Sequence, residues 1–255
     1  MNNIEDYPLL VLALSFVGLW FSARIGIFFC RKHRNVEEDG GKVFDVIMSA
    51  IMTLLALIIG FSFSMAVNRF DQRKNCEEAE ANSIGTEYFR ADFLPPADAA
   101  RVRTLLRSYL DQRVLFYRTR DNRQLQQIDA ATAQLETDMW TVVQAPAAAR
   151  PTPLVALTAS GMNDVLNSRG YSQAAWLYRI PGEAWILMSV MAIFCNVMIG
   201  YGSRRAAAKG ILFLVIPLVV SISFFLIADI DSPRRGIILV RPVNLTSLSQ
   251  SLLSH

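Results

Sequence analysis

Four long apolar runs constrain this chain more than any other feature: Pro8 to Cys30, Val43 to Val67, Trp185 to Tyr201 and Ile211 to Ala228. At about 1.5 Å of rise per helical residue, runs of about 18 residues or more match the hydrocarbon thickness of a bilayer. Composition agrees, with 53% hydrophobic and only 18% charged residues in 255 and a mean hydropathy of +0.30, a balance unusual for a soluble domain. The expected fold class is therefore an all-α membrane protein: four transmembrane helices in two pairs with an intervening soluble helical bundle.

The boundaries follow from charges and helix breakers. The first run has one internal charge, Arg24, close enough to its end to snorkel, and it lacks the basic start and cleavage site of a signal peptide, so it is expected to stay as a span. The second run has Asp45 near its start and turns charged after Val67, yet no glycine or proline follows before Gly85 and no proline before Pro95. This helix should continue well beyond the membrane. Leu94-Pro95-Pro96 ends it, because a residue before proline is pushed out of the α region, and Pro96 can open the next helix.

Val102, Leu106, Tyr109 and Phe116 then mark one face of an amphipathic helix. A further helix from Arg123 to Gln144 carries Leu125, Ile128, Thr132, Leu135, Met139 and Val142 at coiled-coil-like steps. Ala145 to Pro153 reads as a linker, and Leu154 to Arg179 as a weaker helix interrupted at Gly161 and Gly170. Trp185 sits where an interfacial belt residue would, Pro217 should kink the last span, and the chain turns polar again at Asp229. The expected division is 1–68 for an N-terminal transmembrane pair, 69–180 for a soluble helical domain continuous with the second span, 181–228 for a C-terminal transmembrane hairpin, and 229–255 for a polar tail.

Charge excludes some partners. The net charge is only +3 and the arginine-rich middle is balanced by acids, so nucleic acid has no electrostatic footprint here. The two short loops hold Arg31, Lys32, Arg34, Lys42, Arg204, Arg205 and Lys209, which should face the cytoplasm and place the central domain outside it. Cys30, Cys76 and Cys195 offer Cys76 no obvious disulfide partner on its own side.

Little in the chain suggests catalysis. The two histidines, His33 and His255, lie in a short loop and at the end of the sequence, and there is no phosphate loop, paired-cysteine metal motif or nucleophile triad. No enzyme, cofactor or metal is expected, and the acidic run Glu77, Glu78, Glu80 reads as a solvated helix face rather than a cation site. Glu80, Tyr88 and Arg90 are candidates for a structural polar network in the bundle.

In the second span Ser49, Thr53, Ala56, Gly60 and Ser64 step by three or four residues and form one small-residue stripe. Such a stripe either packs helices closely or, repeated around a symmetric ring, lines a narrow pore, with Ile58, Ile59 and Phe61 as candidate constriction residues. The spans hold no acid, lysine or histidine near their centres, which argues against ion-coupled transport. The segment Asp229 to Arg235, with two acids and two arginines around Pro233, reads as an interfacial anchor or an ion-attracting vestibule.

Glu80-Ala81-Asn82-Ser83-Ile84-Gly85-Thr86-Glu87-Tyr88-Phe89-Arg90, followed by Leu94-Pro95 and Leu105-Leu106-Arg107-Ser108-Tyr109, resembles a bacterial family described as bestrophin-like. Gly60-Phe61-Ser62-Phe63-Ser64 and the late Asp229-Ile230-Asp231-Ser232-Pro233-Arg234-Arg235-Gly236 carry the same resemblance, which spans roughly residues 45 to 250. Ser83 and Arg234 depart from it, standing where alanine and an aromatic residue would be expected. The resemblance implies likeness to bestrophins, pentameric anion channels with four-helix membrane protomers and a cytoplasmic soluble part, although their acidic calcium-binding cluster has no obvious counterpart here. It implies a homo-oligomer in the bacterial inner membrane that contacts lipid and passes inorganic ions. The competing expectation is a non-conducting sensor or scaffold that binds a partner through its soluble helices.

Overall fold

A computed structural model describes residues 6–32, 38–149, 151–202 and 212–253. Eight α-helices occur among them, with no strand: α1 (Pro8–Lys32), α2 (Glu38–Arg90), α3 (Pro96–Arg118), α4 (Asn122–Ala149), α5 (Pro153–Leu177), α6 (Gly182–Gly202), α7 (Leu212–Asp231) and α8 (Val243–Leu253). Four of them, α1, α2, α6 and α7, are long and apolar enough to cross a membrane. The chain divides into two compact units, Met1–Arg69 with Arg179–Leu239, and Phe70–Tyr178 with Val240–His255. The histidines and most of the short-loop basic residues lie outside the described residues.

In the first unit α1 packs along α6 and α7. Small residues set the approach of α1 to α6. A Cβ added at Gly26 would strike the Val197 carbonyl oxygen and lie 2.8 Å from the Tyr201 nitrogen, and one added at Gly200 would strike the Ala23 carbonyl and lie 3.1 Å from Gly26 Cα. Ser22, Ala23, Ala192 and Asn196 are buried along the same crossing. Without a hydrophobic drive between helices in lipid, such backbone proximity is how spans gain packing energy. Trp185 is buried edge-on against Phe224 of α7, ring centroids 6.1 Å apart. Pro217 lies inside α7.

The second unit holds a continuous apolar core. Val102, Leu106, Tyr109 and Phe116 of α3 are buried on the face expected for them, and Ile128, Thr132, Met139 and Val142 of α4 are buried too. The α4 seam is thus consumed inside the unit. α2 is one uninterrupted helix of 53 residues. It tightens into a short 3₁₀ turn over Ala91–Phe93 and stops at Leu94, whose backbone is extended before Pro95, while Pro96 opens α3. Thr152 caps α5, its hydroxyl accepting from Val155 N at 3.3 Å, with Pro153 as the first helical residue.

Three segments differ from their sequence expectation. Ala145–Ala149 is the last turn of α4 rather than a linker, because its alanines favour helix and the Pro146 ring is buried. α5 runs unbroken through Gly161 and Gly170. The tail is not uniformly polar chain: Asp229–Asp231 finish α7, and Val243–Leu253 form α8, whose Leu245 and Leu252 enter the core of the second unit.

Candidate functional site

Within the apolar part of α2, Leu55, Ser62 and Ala66 are buried and mark the face packed within the first unit. Ser49, Thr53, Ala56, Gly60 and Ser64 are all exposed, about 140° around the helix from that face at 3.6 residues per turn. Thr53 Oγ1 donates to the Ser49 carbonyl at 2.9 Å, so its donor is spent on its own helix. A Cβ at Gly60 would meet nothing within 4 Å. The three bulky neighbours do not share a face. Phe61 is 63% exposed, whereas Ile58 and Ile59 are half-buried. Ile59 lines an apolar cavity with Leu55 of α2, Cys195 of α6 and Ile216 and Ile227 of α7.

Beyond Phe70 the buried face of α2 is charged. Arg73, Glu77, Glu80 and Glu87 follow at steps of four, three and seven, each at most 1% exposed, so Glu77 and Glu80 turn into the core and only Glu78 of the acidic run is solvated. Each finds separate work. Arg73 donates from Nε to the Ala175 carbonyl at 3.1 Å and from Nη2 to the Tyr178 carbonyl at 3.2 Å, closing the C-terminus of α5. Glu77 accepts from Leu245 N at 2.9 Å and Asn244 Nδ2 at 2.7 Å, a cap on the first turn of α8.

Glu80 forms a fully buried ion pair with Arg113 of α3. Its second oxygen accepts from Ser172 Oγ at 3.0 Å and Tyr117 OH at 3.3 Å. Arg113 lies over the Phe116 ring at 4.4 Å. Burial alone would lower the Arg113 pKa, but the charge of Glu80 and their hydrogen bond hold it above its ordinary value. Burial, reinforced by Glu80, likewise pushes the Tyr109 and Tyr117 phenols well up.

The other two residues singled out from the sequence stand apart from Glu80. The guanidinium groups of Arg103 and Arg107 lie 5.2 and 5.3 Å from the centre of the Tyr88 ring, whose hydroxyl accepts from Arg107 Nη2 at 2.6 Å. Arg90 lies beside Glu87, where Gly161 of α5 is required: a Cβ there would strike both the Glu87 carboxylate and the Arg90 guanidinium. Neither oxygen of Glu87 has a hydrogen-bond partner among the described residues. Burial pushes its pKa up to about 8, Arg90 pulling it down and Asp164 adding to the rise.

Arg113, Tyr117, Ser172, Glu87 and Gly161 carry this site and were not singled out from the sequence. Arg113 had a signal: it falls four residues after Tyr109 and three before Phe116, on the apolar face of α3. Glu87 stands seven residues after Glu80, at the same phase of α2.

The segment after α7 braces the first unit. Asp229 accepts from Ile237 N at 2.7 Å and Ile238 N at 2.8 Å, and Asp231 accepts from Ile180 N at 3.3 Å. Its acids are turned inward to backbone amides. A family model described as the bestrophin-like domain matches residues 9–245. The chain belongs to the bestrophin-like family.

Crystal structures of a bacterial bestrophin homologue from Klebsiella pneumoniae share the fold. One, of a single-substitution variant, is 12% identical with a TM-score of 0.66 and covers 95% of this chain and 96% of that chain. Another, solved by Zn-SAD phasing, is 13% identical with a TM-score of 0.64, covering 95% of this chain and 97% of that chain. No curated protein matches. At such identities the likeness to the bestrophin homologue is one of fold.

Proposed function

We propose that this bestrophin-like chain is a subunit of a homo-oligomeric, passive anion channel of the bacterial inner membrane, with α2 lining the ion path. The observation that carries the reading is the small-residue stripe. Ser49, Thr53, Ala56, Gly60 and Ser64 are exposed in the protomer, with Ala56 and Gly60 at the edge of the cavity that α2 shares with α6 and α7. A ring of such helices would present small groups and the Ser49 and Ser64 hydroxyls to a narrow axis, with the exposed Phe61 at its flank as an apolar constriction, whereas the half-buried Ile58 lies on the opposite side of the helix. The proposal includes the arrangement of the four spans in two pairs. Passive conduction fits spans that lack a central acid, lysine or histidine for coupling. The coiled-coil-like seam that suggested a scaffold is buried in the core of its own unit, so no observation favours that alternative.

The test is mass and flux together. In detergent we expect an oligomer whose mass is a multiple of 28.5 kDa, and in proteoliposomes an anion flux that Gly60→Leu suppresses about tenfold without changing the mass. An intact oligomer that passes no anion, or a monomer, overturns the proposal. The basic short loops support an outward-facing soluble part, whereas bestrophins carry theirs in the cytoplasm. With the native cysteines replaced, labelling of Ser108→Cys in intact cells supports the first orientation, and labelling only after permeabilisation the second.

A further inference from the structure

We infer that the first unit binds a phospholipid, one acyl chain lying in a groove between α1, α6 and α7 and the phosphate meeting a cation at the groove's mouth. The groove is walled by Val11, Leu14 and Gly18 of α1, Trp185 and Ile193 of α6, and Phe224 of α7. All three helices are long and apolar enough to cross a membrane, so the medium that reaches this groove is hydrocarbon. From Trp185 to Ile193 it runs about 12 Å along α6, close to the roughly 15 Å depth of one leaflet. Gly18 keeps it open: a Cβ there would meet nothing within 4 Å.

Two polar features at one end give the occupant a headgroup rather than a bare chain. Trp185 lines the groove one turn into α6, and its buried Nε1 has no hydrogen-bond partner among the described residues. An indole N–H at the edge of hydrocarbon suits an ester or phosphate oxygen. One turn before Val11, the carbonyl of Tyr7 starts α1, and the Arg235 guanidinium lies 4.6 Å over the Tyr7 ring. Among the described residues Arg235 has no ion-pair partner, while the nearby acids are engaged: Asp6 with Arg179, and Asp229 and Asp231 with backbone amides. An anionic phosphodiester fits that charge balance.

The test uses the full-length protein in phosphatidylethanolamine vesicles doped with phosphatidylglycerol bearing a photoreactive acyl chain. We expect labelled peptides to map to the groove faces of α1 and α6. Gly18→Phe, or Ser189→Phe at another residue that lines the groove, should cut that labelling about tenfold, and Arg235→Gln should abolish the preference for phosphatidylglycerol over a diacylglycerol probe. Val17→Phe, on the exposed side of α1, should leave both unchanged. Unfolding temperature and oligomer mass, read for each variant, exclude misfolding as the cause of a loss. Labelling spread evenly over the lipid-facing helices, or insensitive to both filling variants, overturns the inference. Displacement of the lipid probe by inorganic phosphate alone would make this a phosphate site, and a disulfide between two copies carrying Gly18→Cys would make it a protein contact; either result also overturns it.

Discussion

The Arg113 guanidinium has given up water on every side, and Glu80 is its compensation. Breaking such a pair from one end strands a buried charge. Glu80→Met should therefore destabilise the second unit by about 3–5 kcal/mol, as should Arg113→Met, while the two together should cost less than either single change. Denaturant unfolding of the four forms measures this, and additive costs would show that the pair is not coupled. Glu87 makes the opposite case, a carboxyl with no hydrogen-bond partner among the described residues. Its pKa is about 8 in the folded chain against an ordinary 4.5, so between those values the folded state binds the extra proton. Stability should fall as pH rises from about 4.5 to about 8 and then level off. Glu87→Gln should flatten that slope in a melting series across the window. Glu80 stands out in the sequence as a network candidate, but hydropathy left Glu87 and Arg113 hidden because it scores them as surface. Only their phase on the apolar faces of α2 and α3 gives them away.

At the scale of elements, the contact between α1 and α6 is the most sharply defined. Gly26→Val or Gly200→Val would place a side chain inside the backbone of the facing helix. We expect either to prevent that crossing, seen as loss of folded protein after detergent extraction, whereas Gly18→Ala, which meets open space, should be tolerated. Periodicity made α3 and α4 legible, and the absence of breakers between Val67 and Gly85 made the length of α2 legible. Breakers misled where tertiary contacts reversed their meaning. Gly161 permits the approach of α5 to Glu87 and Arg90 instead of interrupting a helix, and Pro146 fills core space within the last turn of α4. α8 had no local signal strong enough to stand out, since its helix is fixed by the distant Glu77 and by Arg107, which donates to the Leu252 carbonyl at 2.8 Å.

For the whole molecule, the four apolar runs were enough to anticipate four helices able to cross a membrane. They did not reveal that both compact units are discontinuous in sequence. Leu245 is fully buried in the core of the second unit. Leu245→Ala should cost about 2–5 kcal/mol there, and limited proteolysis should then cut first near α8. The recruitment of α8 by Glu77 has a consequence for biogenesis. Residues 70–178 emerge from the ribosome long before the segment that caps them, and two hydrophobic helices must be handed to the insertion machinery in between. Until then the carboxylate of Glu77 and the seat of Leu245 stand open, so the maturation of this domain is timed by the synthesis of α8 and not by that of the bundle it caps.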